Sequence, residues 1–339
     1  MMNVFRCPLT VTRRPQAASR FATENGPRNT ENIAVSERGV ALVTALLVVT
    51  LAAVAAVAMT SRQQIDIRRT QNVLETEQLR FFLYGIEGWA GKMLEQDRRD
   101  GEVDHLGEDW AMRLPPVPVD NGQLTGHIED AQGRFNLNNL ILDGKTSAED
   151  LMRLRRLLAA LELSPDLADA IVDWIDADIE PLPPYGAEDA TYLGNTPPYR
   201  AANRLFGDVS ELRLVAGIDA AGYRLLAPHL AALPARTAIN LNTASAAVIM
   251  ALADGIGRSE AEDFVATRQD QHYSSVDAAL QQPVFANRTV ARDGLGVSSN
   301  HFVVMSAISL GRLEQRYASL LRREDNGAAT LIVRTQLYL

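Results

Sequence analysis

The sequence predicts an α+β protein: a long N-terminal helix packed on an antiparallel sheet, with a large α-helical domain inserted into that sheet. Three observations predict it. An uncharged apolar run from Val40 to Met59 passes without a break into helical periodicity that lasts to about Asp97. β signals stand at residues 123–137 and return from His301 to the end of the chain. The stretch between them is mostly helical in pattern.

The first element is set by its junction. Residues 1–39 are hydrophilic and carry Arg6, Arg13, Arg14, Arg20, Arg28 and Arg38 against Glu24, Glu31 and Glu37. The apolar run that follows, about 20 residues, is long enough to cross a bilayer as a helix. A secretory signal has its cleavage site after the apolar core. Here Gly39 stands before it, so a cut between Gly39 and Val40 would leave the apolar helix as a new N-terminus. A plain signal anchor, with an accidental glycine, is the alternative. The basic leader predicts a single-pass chain with its N-terminus inside and its bulk translocated. Arg62, Arg68 and Arg69, beyond the span, act against that orientation.

Helical character continues past the span. Ile65, Leu74, Leu79, Phe82, Leu83, Ile86, Trp89, Met93 and Leu94 fall mostly at i, i+3, i+4 spacing. One helix from Val40 to about Asp97 would be on the order of 85 Å long at 1.5 Å per residue. Asp100-Gly101 ends it, and Pro115, Pro116 and Pro118 exclude helix. The face from Ile65 to Trp89 and the edge of the sheet are the expected partner contacts, because an apolar stripe of that size needs cover. Phe81 and Phe82 are adjacent and cannot both point into one core, so one of them is an interface candidate.

Gln123–Glu129 and Arg134–Leu137 read as strands around a hairpin-type turn at Asp130-Ala131-Gln132-Gly133. Three more strands follow at His301–Leu310, Arg312–Leu321 and Thr330–Leu339, with a polar turn at Arg322–Gly327. In the insert, Ala148–Leu163 reads as an amphipathic helix with an exposed arginine group. Ser164-Pro165-Asp166 caps a second helix that runs through Trp174. Ser210–Leu230 adds helix around Gly217. A second part opens at Ile239-Asn240-Leu241-Asn242-Thr243-Ala244, and Gly255-Ile256-Gly257 suggests a helix-hairpin-helix turn. Residues 210–226 look like a weaker copy of it. The expected units are a leader at 1–39, a membrane-spanning helix at 40–60, a first sheet part at 61–137, helical modules at 138–236 and 237–298, and C-terminal strands at 299–339.

With 339 residues, the chain can bury a sizeable core. Its formal net charge is −9, and loss of a leader with six arginines and three glutamates would take it to −12. So acidic a chain is a poor match for a phosphate backbone. The only cysteine, Cys7, lies in the leader, so a mature chain could form no disulfide. His105, His127, His229, His272 and His301 have no close ligand spacing, which argues against zinc.

The densest acidic stretch is Asp173–Asp189. Asp176, Asp178, Glu180, Glu188 and Asp189 are brought together by a loop that Pro181, Pro183 and Pro184 stiffen and Gly186 turns back. Hard oxygen donors at flexible spacing suit Ca²⁺, which takes six to eight of them, and Thr191 and backbone carbonyls could complete the shell. Asp173, still on the helix, is the marginal member. A solvated acidic loop with helix-capping aspartates is the alternative. Paired carboxylates can also do acid–base chemistry. A short surface loop, however, lacks the buried pocket that would set their pKa values apart. No Gly-x-Ser-x-Gly elbow, His-Glu-x-x-His helix or Walker loop is present. The chain therefore reads as non-enzymatic.

The leader junction resembles that of type IV pilins and type II secretion pseudopilins. Asp104-His105-Leu106-Gly107-Glu108-Asp109-Trp110, Asp130–Leu140, Asp173-Trp174-Ile175-Asp176-Ala177-Asp178, Gly186-Ala187-Glu188-Asp189, Tyr199–Asn203, Ser210-Glu211-Leu212 and Ile239–Ala244 resemble, in order and spacing, the K class of minor pseudopilin. The resemblance implies a pilin-like fold whose inserted domain holds two helical modules of the SAM-like type and carries calcium. It implies cleavage between Gly39 and Val40 by the prepilin peptidase, which also methylates the new amine. It further implies an inner-membrane protein with its globular part in the periplasm, joined at the pseudopilus tip to minor pseudopilins of the I and J classes, with the major pseudopilin added below. Most of that family has Glu five residues after the cut, thought to pair with the N-terminal amine of the subunit ahead. Here the position is Thr44, which suits a subunit with none ahead of it. Taken alone, Asn240–Arg268 also resembles the helix-hairpin-helix domain of membrane-anchored competence DNA receptors. Glu260, Glu262 and Asp263 and the acidic mature chain oppose that, and the hairpin can equally serve only to pack two helices.

Overall fold

The structure, a computed structural model, describes residues 34–337, and side-chain surroundings from residue 39 onward. The predicted leader up to residue 33, with Cys7, lies outside the described residues. The chain divides into two units, residues 1–70 and residues 71–339.

In the first unit the described residues form the start of helix α1, Ala34–Asp100. Every residue from Gly39 to Thr70 is exposed, including the whole apolar run. The window is long and apolar enough to cross a membrane. Thr44, Thr50 and Thr60 each donate their hydroxyl to a carbonyl one turn back, so no side-chain donor in the run is left unpaired.

In the second unit, α1 ends where predicted. Gly101 N–H caps the last turn on the Asp97 carbonyl (3.0 Å), and Arg98 and Arg99 oppose the negative end of the helix dipole. The helix lies on a five-stranded antiparallel sheet of β1 (Val117–Val119), β2 (Gly122–Asp130), β3 (His301–Leu310), β4 (Leu313–Arg323) and β5 (Ala329–Leu337), in that spatial order. Leu79, Leu83, Ile86, Ala90 and Leu94 pack on Ile128, Phe302, Val304, Ile308 and Leu321. Close approach needs a small residue beneath it: a Cβ on Gly126 would stand 3.1 Å from Ile86. The packed face begins at Leu79. Leu74, which the spacing places on it, is 59% exposed, because no strand extends beneath it.

The sheet is interrupted where expected. β2 and β3 are neighbours in space, with register from Gly122↔Leu310 to Asp130↔Phe302, and residues 131–300 leave and return between them. The turn after β2 is not a hairpin. Ala131–Gly133 is one turn of 3₁₀ helix, capped by the Asp130 carboxylate, that directs the chain off the sheet. The predicted strand at Arg134–Leu137 shrinks to Phe135–Asn136, paired in parallel with Leu230–Ala231. β1 was not foreseen; it tolerates Pro118 because it is an edge strand.

The insert contains α2 (Ala148–Ala160), α3 (Leu167–Ile175), α4 (Asp189–Tyr192), α5 (Ala220–Leu226), α6 (Ala246–Met250), α7 (Arg258–Asp270) and α8 (Val276–Leu280). One continuous core runs through it, from Phe135 to Leu295. The predicted helix at Ser210–Leu230 is instead a 3₁₀ segment, Val209–Leu214, and α5, split at Gly217 (φ +81°). The arginine group of α2 is not an exposed one. Arg153 is fully buried, with Nη1 on Asp150 (3.1 Å) and Nη2 on the carbonyls of Ala291 and Asp293. Arg155 and Arg156 bind Asp169 and Asp254.

Buried polar groups hold the insert together and join it to the sheet. Within the insert, the Asn138 carboxamide donates to the carbonyls of Phe206 and Leu233 and accepts from Phe206 N–H. The Asp130 carboxylate accepts from Thr243, Ser299 and Asn240, at 2.6–3.0 Å. Each such group would be costly to leave unpaired, so together they fix one geometry.

Candidate metal centre

Helix α3 ends at Ile175, and Asp176 N–H closes its last turn on Val172. The chain then loops out and back. Asp173, fully buried, holds the return by accepting from Leu182 N–H (3.0 and 3.2 Å). Gly186 N–H bonds the Leu182 carbonyl at 2.8 Å. A Cβ on Gly186 would collide with the Asp173 carboxylate and the Leu182 backbone, so the closure requires glycine. It delivers Glu188 to the site, at the start of α4.

Carboxylate oxygens of Asp176, Asp178 and Glu188 lie within 4.8 Å of one another. Asp176 Oδ1 and both oxygens of Glu188 are buried without a hydrogen-bond partner. Burial, reinforced by Asp178 and Asp173, pushes the Asp176 carboxyl up to about 6. Burial, with repulsion from Asp173, Asp176 and Asp178, pushes Glu188 up to about 7. Among the described residues, no basic side chain is a cause of the shifts at Asp176 or Glu188. Asp173 is raised as well, by burial first. Buried carboxylates without donors are costly. A bound divalent cation would satisfy them, and an all-oxygen donor set matches calcium rather than zinc.

Not every residue chosen from the sequence joins this group. Glu180 is exposed, and its N–H caps Asp178 (2.9 Å). Asp189 faces the other way, accepting from Ala201 N–H (3.0 Å) beside Arg200. Thr191 is exposed on α4. Asp189 and Thr191 are displaced because the helical turn that starts after Glu188 rotates them away, whereas Glu180 lies on the outgoing loop, where its backbone N–H donates to the Asp178 carboxylate. One residue was missed. Asn203, at φ +45°, donates its amide to the Asp178 carbonyl (3.0 Å), and its Oδ1 is buried without a partner. Its only signal was its place in the Tyr199–Asn203 motif.

Elsewhere, Phe82 leans on the sheet core while Phe81 is 70% exposed. Gly39, Val40 and Thr44 lie exposed on α1. At the helix-hairpin-helix turn, Gly257 N–H is taken by the Glu260 carboxylate (2.8 Å), which also holds Arg288 (2.9 Å). A carboxylate thus occupies the place a nucleic-acid phosphate would need.

The chain matches two family profiles described as type II secretion system (T2SS), protein K, over residues 133–235 and 239–298. It is similar to type II secretion system protein K of Pseudomonas aeruginosa, 38% identical over 88% of this chain and 92% of that one. It also resembles the protein K of Aeromonas hydrophila, at 35% over 85% and 94%. Its fold is similar to a chain in the crystal structure of the GspK-GspI-GspJ complex from the enterotoxigenic Escherichia coli type 2 secretion system. That match has a TM-score of 0.72 at 28% identity and covers 80% of this chain and all of that one. By sequence along most of its length, and by a sheet split between its second and third strands, the chain belongs to the type II secretion system protein K family, the K class of minor pseudopilins.

Proposed function

We propose that this chain is a non-enzymatic assembly subunit of the inner membrane, which caps the pseudopilus tip with two other minor pseudopilins and starts its growth for protein export across the outer membrane. One arrangement carries the proposal: an anchor-length apolar helix that continues, unbroken, into the core helix of a split-sheet domain. The relative of known structure was crystallised with GspI and GspJ, so the partners are the I and J classes, with the major pseudopilin added later. Prepilin peptidase cuts between Gly39 and Val40 and methylates the new amine. Thr44, fifth in the mature chain, satisfies its hydroxyl on the Ala41 carbonyl at 3.0 Å. It asks for no neighbouring amine, as a tip subunit requires. Uncharged helices packing in the bilayer then seed the filament.

The helical insert, two SAM-like modules at residues 138–236 and 237–298, faces the periplasm and blocks addition above the tip. Calcium at Asp176, Asp178 and Glu188, with Asn203 beside them, staples its acidic loop. The DNA-receptor alternative is not favoured, because Glu260 fills the hairpin. The test is the intact mass and N-terminus of membrane-extracted protein made with and without prepilin peptidase. A chain starting at methylated Val40 only when the peptidase is present supports the proposal. A retained leader, or a cut beyond Met59, sinks it.

A further inference from the structure

We propose that Arg268 anchors a binding site for a carboxylate group, in a cavity between the loop after α1 and helix α7. Three arginines of the domain are buried: Arg153, Arg268 and Arg323. Arg153 is paired with Asp150 and Arg323 with Asp104. Arg268, 5% exposed, has no carboxylate within ion-pair reach among the described residues. Nη1 donates to the Leu241 carbonyl at 2.7 Å, and Nε is buried with no acceptor. Asp130 acts on it only through space, because its own oxygens are taken by Gln132 N–H, Asn240, Thr243 and Ser299.

Arg268 lines a cavity of about 190 Å³, together with Leu106, Gly107, Asn242 and Gln269. Tyr273, buried three residues beyond the end of α7, also carries a hydroxyl with no partner. Burial lowers Arg268 only to about 10, so it stays charged at neutral pH. A water in the cavity could accept from Nε but would leave the charge uncompensated. A carboxylate supplies both acceptor and charge, and the fork of a guanidinium suits it. The volume suits a free small carboxylate, an acidic side chain or a peptide C-terminus. Occupancy would tie the loop of the sheet part to the second half of the insert, where the His105 and His272 rings already stack at 3.8 Å.

The test is thermal unfolding of the full chain in detergent, with calcium in excess and ionic strength fixed. The probes are acetate, N-acetylglycine and N-acetylglycinamide, against chloride. Acetate and N-acetylglycine should raise Tm saturably by a few degrees, and the amide should not. Arg268→Met should lose the effect, and Tyr273→Phe should require a several-fold higher concentration. Saturation by both acids at similar concentrations identifies a free carboxylate as the ligand. A tenfold advantage for N-acetylglycine identifies a polypeptide carboxylate. Should Arg268→Met fail to fold, line broadening of ¹³C-acetate by wild type, reduced in Tyr273→Phe, gives the same answer. Equal shifts in acetate and chloride, or an undiminished acetate effect in a folded Arg268→Met, overturn the site.

Discussion

Asp176 Oδ1 and both Glu188 oxygens are buried beside other carboxylates without a hydrogen-bond partner among the described residues. The ordinary values of the two carboxyls, 3.8 and 4.5, are raised to about 6 and about 7. A carboxyl whose folded value exceeds its unfolded one contributes stability below the unfolded value and loses it as pH rises through the folded one. With calcium chelated, the protein should therefore become less stable from about pH 4 to pH 7. With calcium present the slope should reverse, because protons compete with the ion, and the calcium-dependent gain should vanish below about pH 5. Tm measured against pH in chelator and in calcium checks this; parallel curves would refute it. Asp178→Ala combined with Glu188→Ala should remove the calcium-dependent rise, whereas Asp189→Ala should keep most of it. The site was legible as an acidic run with a glycine at the return. Its membership was not, because a single helical turn after Glu188 decides which carboxylates converge, and Asn203 arrives from a segment the run does not contain.

At the scale of elements, α1 carries two kinds of apolar residue that look alike in sequence. Leu83 is 2% exposed and packs on the sheet, while Phe81, two positions earlier, is 70% exposed. Leu83→Ala should cost about 2–5 kcal/mol, for lost burial and the cavity left behind. Phe81→Asp should change stability of the isolated chain by no more than about 0.5 kcal/mol, as for other surface substitutions, yet weaken co-purification with the I- and J-class partners. Urea unfolding gives the first pair of numbers and pull-down the second. An intact complex with Phe81→Asp would remove that contact from the interface. Long strands such as β2, β3, β4 and β5 were readable because their apolar positions alternate or run unbroken. The hairpin after β2 was misread because Asp130-Ala131-Gln132-Gly133 has turn chemistry. What decides the path is the Asp130 side chain, which caps the 3₁₀ turn and is itself held by Thr243 and Ser299, more than 100 residues on.

At the scale of the folded domain, the end of α1, the loop after it and the last strands of the sheet meet at Arg323. Its guanidinium bonds Asp97 (2.5 Å), Asp104 (2.5 and 2.7 Å) and the Ser299 carbonyl (2.8 Å) while covering the Phe302 ring. Around it, carboxylate oxygens of Asp97, Asp104 and Glu108 crowd within 4.8 Å. Burial, with repulsion from Glu108 and Asp104, holds Asp97 up at about 7 even with the arginine in place. No sequence pattern links Arg323 to its carboxylate partners, Asp97 and Asp104, which are more than 200 residues away. Removing the arginine leaves buried negative charge without its counterion, for which losses of about 3–5 kcal/mol are usual. Arg323→Met keeps much of the stem and should show that loss at pH 7.5. It should lose clearly less at pH 5.5, where Asp97 takes up a proton and the repulsion falls. Urea titrations of variant and wild type at the two pH values, with calcium saturating in both, provide the comparison. An equal penalty at both would mean that Arg323 acts there by packing on Phe302, with its charge making no separate contribution.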